Sequence, residues 1–298
     1  MRISEADGAR AYRLGILALV TATFFTSTAG VLLRHIESAD GWTVLFYRAA
    51  SFVVTMLLFI LWRHGRHSVA AFRDIGRAGL GVAVFLGAAF MLFILAMLET
   101  TVANVVFTVS LSPFFAALIA WLVLREAVRP ATLVTMVAAL VGVGFMFADG
   151  LAAGGWRGNV IALVCCVCFS AGIVCLRGGR ARDMLPAVCL AGVVASLVPA
   201  LVAPTLAIGR HDLILAVFMG VVQLGFQYIL VTGASRHVPA AEVTLVGRLA
   251  LILAPLWVWL AVGEVPGELA FIGGAIVLAA VGGHAIVALR GRSLGAAH

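Results

Sequence analysis

Ten apolar segments, each about twenty residues long, constrain this chain more than any other feature of its sequence. Short stretches rich in charged residues, glycine or proline separate the segments, as at Arg34-His35, Arg63-His64 and Arg125-Glu126. An α-helix needs ~20 mainly apolar residues to cross a bilayer, so each segment is long enough to span a membrane. The predicted spans are 13–33, 42–62, 77–97, 102–123, 131–148, 158–176, 186–205, 213–233, 240–261 and 268–289.

The composition excludes most classes of soluble protein. Apolar residues make up 63% of the chain and charged residues 11%, whereas a soluble domain has about 45–50% and about 25%. Nine loops and two tails share the remaining residues, which leaves no room for a soluble domain of ordinary size. We therefore expect membrane lipid to surround an all-α integral membrane protein. The positive net charge is interpreted as a topology signal, so no nucleic acid partner is expected.

The arginines predict how the chain is oriented. All twenty basic residues are Arg. If the N-terminus is cytoplasmic, fifteen of them fall on cytoplasmic segments, and three (Arg34, Arg157 and Arg210) fall on the opposite side. Basic residues are enriched on the cytoplasmic side of membrane proteins. The sequence therefore predicts a multi-pass protein with both termini in the cytoplasm.

An internal repeat divides the chain into two halves. A shift of 138 positions aligns residues 77–148 with 215–286, placing Trp121 on Trp259 and Glu126 on Glu264. We therefore predict two copies of a five-helix unit, residues 1–150 and 151–298. Because five is odd, the second copy is inverted, and inverted repeats are the architecture of alternating access.

A motif in the first half makes the family recognisable. Pro113-Phe114-Phe115-Ala116-Ala117-Leu118, continuing to Leu124-Arg125-Glu126, resembles the drug/metabolite transporter superfamily and, within it, the bacterial EamA-type exporters. The run from Ala254 to Leu260 is similar to the YddG-like aromatic amino acid exporter branch. The second half departs from the motif, because Leu251 stands where the proline is expected and the proline is at 255.

The resemblance covers nearly the whole chain and implies a carrier of the bacterial inner membrane that exports small metabolites. It also implies a central cavity between the two halves. The helices expected to line that cavity are those that begin near residues 13, 77, 102, 158, 213 and 240.

Arg248 is the leading candidate for a substrate-binding residue. It lies about eight residues into its predicted helix, roughly 12 Å deep at ~1.5 Å per residue. An ionisable side chain within a span is costly and is therefore a functional candidate. A guanidinium in a water-filled cavity can hold a substrate carboxylate with two hydrogen bonds. The alternative is that Arg248 reaches the cytoplasmic rim or binds neighbouring helix carbonyls.

Three further polar candidates belong to the second copy. Gln223 and Gln227 are four residues apart and share a helix face, with Tyr228 beside them. The 138-residue shift places Phe85, Ala89 and Phe90 opposite these residues. Such polar groups are either a binding site for an asymmetric molecule or simple helix-to-helix contacts in lipid.

Aromatic residues supply candidates for an apolar wall, and Phe24 and Phe85 complete the set of predicted site residues. One positive charge with an aromatic wall favours a hydrophobic or aromatic amino acid. A cationic drug is the alternative substrate for the same fold.

Arg48 also lies within a span. We interpret it as a structural partner of Glu37, Asp40 or Glu99 rather than as a ligand.

Other classes of protein fit poorly. No H-E-x-x-H, G-x-S-x-G or P-loop pattern occurs, so an intramembrane enzyme is not favoured. The rings of charge expected of an ion pore are also missing. Cys165-x-x-Cys168 lies in an apolar run without a second pair, so neither a metal nor a cofactor is expected. The sequence leaves the oligomeric state open.

Overall fold

The computed structural model describes residues 5–124, 130–152, 155–179, 182–235 and 237–295. Within these ranges every regular element is a helix, and no strand occurs. The α-helices are α1 Glu5–Ser27, α2 Ala29–Arg34, α3 Gly41–His64, α4 Ser68–Arg73, α5 Gly76–Glu99, α6 Val102–Val109, α7 Ser112–Leu124, α8 Pro130–Ala152, α9 Trp156–Gly178, α10 Leu185–Val202, α11 Arg210–Phe218, α12 Gln227–Ala234, α13 Ala240–Gly247, α14 Ala250–Val262 and α15 Glu268–Gly295.

Apart from α4, which lies between spans 2 and 3, these helices form the ten predicted spans. Spans 1, 4 and 9 each consist of two helices (α1 with α2, α6 with α7, α13 with α14), and span 8 joins α11 to α12 through a π-helix at Met219–Phe226. Spans 2, 3, 5, 6, 7 and 10 are α3, α5, α8, α9, α10 and α15. Eight described stretches are long and apolar enough to cross a bilayer, and shorter apolar stretches at Val134–Asp149 and Glu268–Ala280 belong to spans 5 and 10. The prediction of an all-α protein with ten spans is confirmed.

Both described termini lie at the same end of the bundle, because the number of spans is even. We call this end proximal. The opposite end, which carries Glu37, Thr100 and Glu264, is called distal.

The packing between spans repeats when the two halves are exchanged. In the repeat, spans 1, 3 and 4 correspond to spans 6, 8 and 9. Spans 1 and 8 pack together, and so do their counterparts, spans 6 and 3. Spans 9 and 1 pack together, and so do their counterparts, spans 4 and 6. Spans 2 and 7, and spans 5 and 10, pack on their own counterparts. Each span thus has the neighbours that an inverted repeat requires.

Individual residues repeat as well. Trp121 and Trp259, which the 138-residue shift superimposes, are 50% and 53% exposed. The same shift places Asp74, before span 3, on Asp212, in span 8. Each aspartate holds a loop of the other half. The second matched pair, Glu126 on Glu264, cannot be compared because Glu126 lies outside the described residues.

The two loop anchors differ in strength. Asp212 is 1% exposed and accepts the main-chain N–H groups of Glu37, Ser38 and Ala39 at 2.9–3.0 Å. Arg182 donates to the main-chain oxygen of Asp74 at 2.8 Å, on an exposed surface. The distal loop is therefore held more firmly than its proximal counterpart.

Apolar side chains point both inward and outward. Phe52, Met56 and Leu86 are fully buried among spans 2, 3 and 7. Trp62 and Leu201 are 81% and 79% exposed. A surface this apolar suits hydrocarbon rather than water.

Arg48 does not form the predicted ion pair. Its side chain is 4% exposed and donates to the main-chain oxygen of Phe90 at 3.3 Å. Asp40 instead accepts from the N–H of Trp42 and caps its own helix, and Glu37 lies 4.0 Å from His211. No ion pair joins Arg48 to an acidic residue in the described ranges, because it faces span 3 about two turns below the distal loops. The interpretation as a partner of Glu37, Asp40 or Glu99 is wrong.

Candidate functional site

Two helix breaks mark the centre of the bundle. Span 4 is broken between Val109 and Ser112, and span 9 between Gly247 and Ala250. The 138-residue shift superimposes the two breaks. At each break the chain makes a tight turn, in which Leu111 N donates to Thr108 O at 3.1 Å and Leu249 N to Val246 O at 3.0 Å.

The breaks leave main-chain groups without helical partners. Among the described residues, the N–H groups of Ser112 and Ala250 make no backbone hydrogen bond. Pro255 lies within α14 and has no N–H to donate to the carbonyl oxygen of Leu251, four residues earlier. Irregular backbone at membrane depth is tolerated only where it is buried in protein or lines a water-filled cavity. The breaks must therefore lie in the protein interior or against such a cavity.

A cavity of about 410 Å³ surrounds both breaks. This volume lies within the range of small-molecule sites, roughly 300–1,000 Å³. Its first wall belongs to spans 1 and 9 and consists of Thr26, Ser27, Ala29, Gly247, Arg248, Ala250, Leu251 and Ala254. Its second wall belongs to spans 3, 4 and 6 and consists of Phe93, Met97, Val106, Val109, Ser110, Ser112, Pro113 and Phe169.

The two walls differ in chemistry. The first wall contains the cationic side chain of Arg248, and the second contains the aromatic rings of Phe93 and Phe169. None of the described lining residues is acidic. The cavity thus offers a positive charge on one side and an apolar surface on the other.

Arg248 lines the cavity with spare hydrogen-bonding capacity. Its Nε is buried and has no hydrogen-bond partner, and no ion pair involves Arg248 in the part of the chain that the structure describes. Because a buried unpartnered donor costs about 1–3 kcal/mol, the site is incomplete without an acceptor. A carboxylate is the acceptor that best fits a guanidinium.

Gln227 lies in a second, smaller cavity of about 70 Å³. Thr26, Gly247 and Ala250 line both cavities. The smaller one continues from the break in span 9 toward the proximal end, where Leu19 and Val231 form its walls. The two cavities together involve spans 1, 3, 4, 6, 8 and 9, the six that the family resemblance implies.

Gln223 and Tyr228 lie behind the cavities. Gln223 is 1% exposed, and its Nε2 donates to Thr28 Oγ1 at 3.1 Å, while its Oε1 has no partner. The ring of Tyr228 packs against Phe52 and Phe90, with centroids 6.0 Å apart in both pairs. Neither residue lines a described cavity.

Phe24 and Phe85 lie on the outside of the bundle. They are 45% and 40% exposed, and neither is among the described lining residues. The ring of Phe24 packs edge-on against Trp257. The structure therefore brings Arg248 and Gln227 to two cavities that share lining residues and leaves the other four candidates elsewhere.

Four lining residues that could contact a substrate were not predicted from the sequence. These are Ser27, Phe93, Ser110 and Ser112. Ser27 accepts a hydrogen bond from Trp257 Nε1 at 3.0 Å, and Ser110 donates to Phe107 O at 2.6 Å. The signal that points to Ser110 is its place opposite Arg248 in the repeat. Nothing in the sequence separates Phe93 from the other apolar residues of span 3.

Comparisons with known proteins agree with this architecture. Residues 13–148 and 156–283 match the model of the EamA-like transporter family, so each match covers one half of the chain. A crystal structure of another protein superposes with a TM-score of 0.59 at 18% identity, covering 92% of this chain and 96% of that one. At this identity the likeness concerns the fold alone. No curated protein gives a significant match.

Proposed function

Because the chain belongs to the EamA-like transporter family, and is thus a membrane transporter of small molecules, we propose that it exports hydrophobic and aromatic amino acids. Alternating access through the cavity between the two repeats carries them across the bacterial inner membrane. The repeats are residues 1–150 and 151–298, and both termini are cytoplasmic. The observation that carries this proposal is the unpaired Arg248 in a cavity whose opposite wall is aromatic.

The first wall suits a carboxylate. A substrate carboxylate accepts from the guanidinium of Arg248, and the free N–H of Ala250 is a neutral donor two residues away. Discontinuous helices commonly direct such half-helix N-termini at anionic groups of substrates.

The other parts of an amino acid also find partners. The carbonyl oxygen of Leu251, released by Pro255, and the hydroxyl oxygen of Ser110 are acceptors for the ammonium group. Phe93 and Phe169 offer ring faces to an apolar side chain, and each well-oriented ring pair adds ~0.5–1.5 kcal/mol beyond burial. A bare cation fits less well, because the described lining residues include no acidic side chain.

The substrate class is tested by export from growing cells. Cells that overproduce the protein are expected to release more phenylalanine, tyrosine or another neutral amino acid and to tolerate toxic analogues of them better. The control is an equal amount of the Arg248→Ala variant. Unchanged release of every amino acid, together with increased resistance to cationic compounds, would replace this proposal with drug export.

The orientation is tested separately with reporter fusions. A reporter that works only in the cytoplasm is expected to be active when fused after residue 298, and one that requires the periplasm is expected to be silent. The physical reason is the fifteen-to-three distribution of arginines, which holds the proximal loops in the cytoplasm. A periplasmic C-terminus would contradict the proposed direction of both repeats.

A further inference from the structure

We propose that Arg34 and Glu264 form a latch that closes the cavity at the distal end, and that the latch must open before a substrate can leave on that side. Arg34 ends α2 in span 1, and Glu264 follows α14 in span 9. The latch residues therefore both extend from the first wall of the cavity. Their hydrogen bonds reach the second wall.

The ion pair is short and partly shielded. Arg34 Nε lies 2.8 Å from Glu264 Oε2, and the two side chains are 26% and 18% exposed. Partial burial makes such a pair stronger than one on an open surface. When the walls separate, water can replace the hydrogen bonds that these two side chains make with the second wall, so the latch is able to open.

Each charge also binds the end of a helix in the second wall. Arg34 donates through Nη1 to Met97 O at 2.8 Å and through Nη2 to Thr100 O at 3.0 Å, at the C-terminus of α5. Glu264 Oε1 accepts the N–H of Val102, the first residue of α6, at 2.7 Å. A cation at a helix C-terminus and an anion at a helix N-terminus both complement the helix dipole. The signs of the two charges therefore cannot be exchanged without loss.

The two walls meet closely just below the latch. A Cβ atom added to Gly30 would lie 2.6 Å from Val102 Cγ2 and 2.9 Å from Val258 Cγ2, and both valines are 1% exposed. Distal helices α6 and α14 pack together here, whereas no comparable packing joins proximal helices α7 and α13 within the described residues. The structure is thus closed on the distal side of the cavity, where the latch lies.

The latch is tested by labelling a cysteine placed in the cavity. Val106→Cys puts a thiol on α6, among the lining residues. An impermeant maleimide is applied from the distal side of membrane vesicles, and the parent chain, with its five native cysteines, gives the background. We expect Arg34→Ala to increase the labelling rate about tenfold, because the distally open state becomes more populated. Arg157→Ala, which removes another distal arginine, is the matched control and should leave the rate unchanged.

A second pair of variants changes charge without changing shape. Glu264→Gln should also increase labelling, whereas Glu99→Gln, at an exposed distal carboxylate, should not. If Arg34→Ala and Glu264→Gln both label at the rate of their controls, the latch proposal is wrong. The experiment needs no substrate, so its failure is separate from failure of the amino acid proposal.

The exchanged pair Arg34→Glu/Glu264→Arg tests the contacts with the helix ends. It keeps an ion pair but places a carboxylate against the carbonyl oxygens of Met97 and Thr100. We expect labelling to stay as high as in Arg34→Ala. If labelling fell back to the rate of the Arg157→Ala control, the ion pair alone would account for the latch. The proposed role of the helix ends would then be wrong.

Discussion

Replacing Arg248 with alanine is expected to remove most of the transport activity while the protein remains folded and inserted. The change removes the cationic group in the described wall of the cavity. Charged hydrogen bonds contribute about 1.5–3 kcal/mol, so kcat/KM should fall roughly 10- to 100-fold in reconstituted vesicles. The measurement is counterflow of labelled phenylalanine, with protein content matched by size-exclusion chromatography.

Two further variants make this result specific. Arg248→Lys should restore only part of the activity, because lysine is a point charge without the planar fork of a guanidinium. Arg157→Ala removes a positive charge outside the cavity and should transport normally. Normal kinetics in a well-expressed Arg248→Ala variant would remove Arg248 from the binding site.

Replacing Gly142 with valine is expected to destabilise the protein strongly. A Cβ atom at Gly142 would lie 2.6 Å from the main-chain oxygen of Gly273 and 2.9 Å from Val277 Cγ2, where spans 5 and 10 pack together. The carbonyl cannot move without its helix, so overpacking should cost about 3 kcal/mol. The melting temperature in detergent should fall by roughly 5–10 °C.

Gly144 provides the matched control on the same helix. A Cβ atom there meets nothing within 4 Å, so Gly144→Val should leave the melting temperature nearly unchanged. Equal losses for the two variants would mean that valine is harmful in this helix for a reason unrelated to the seam with span 10.

Much of the fold follows from the sequence because lipid imposes simple rules. Each crossing needs a long apolar stretch, and the charged residues must lie between crossings. The internal repeat could be detected in the sequence because equivalent positions, such as Trp121 and Trp259, occupy similar environments. The ends of the helices follow less well. The first span is predicted to begin near residue 13, but its helix extends back to Glu5.

The breaks within spans were not predicted, because hydropathy does not register them. At the break in span 1, the hydroxyls of Ser27 and Thr28 bond to Phe24 O and Phe25 O, both at 2.7 Å, in competition with the backbone. In span 8, the wider π-helix includes Gly220, where an added Cβ would clash with the main-chain oxygen of Arg48. The first feature depends on local side-chain hydrogen bonds and the second on a neighbouring helix, and neither is visible in the apolar periodicity.

The position of Arg248 in the cavity wall was predictable because charge is rare within spans. Arg248 stands out because an arginine within a span requires a partner or water. Phe24 and Phe85 could not be placed, because lipid and the protein interior select the same apolar side chains. Arg48 shows the converse problem: it does lie within a span, but its contacts depend on which way α3 is turned.

The matched breaks in spans 4 and 9 have a consequence for hydration. An unbroken helix satisfies its own backbone, but here the N–H groups of Ser112 and Ala250 are left to whatever occupies the cavity. Buried polar groups of this kind are normally satisfied by ordered water. We therefore expect water to reach these groups when no substrate is bound, so that a substrate must displace water from them. The affinity for the substrate then depends on how much more strongly these groups bind the substrate than water. The groups that make the site selective therefore also keep the substrate from binding too tightly to be released.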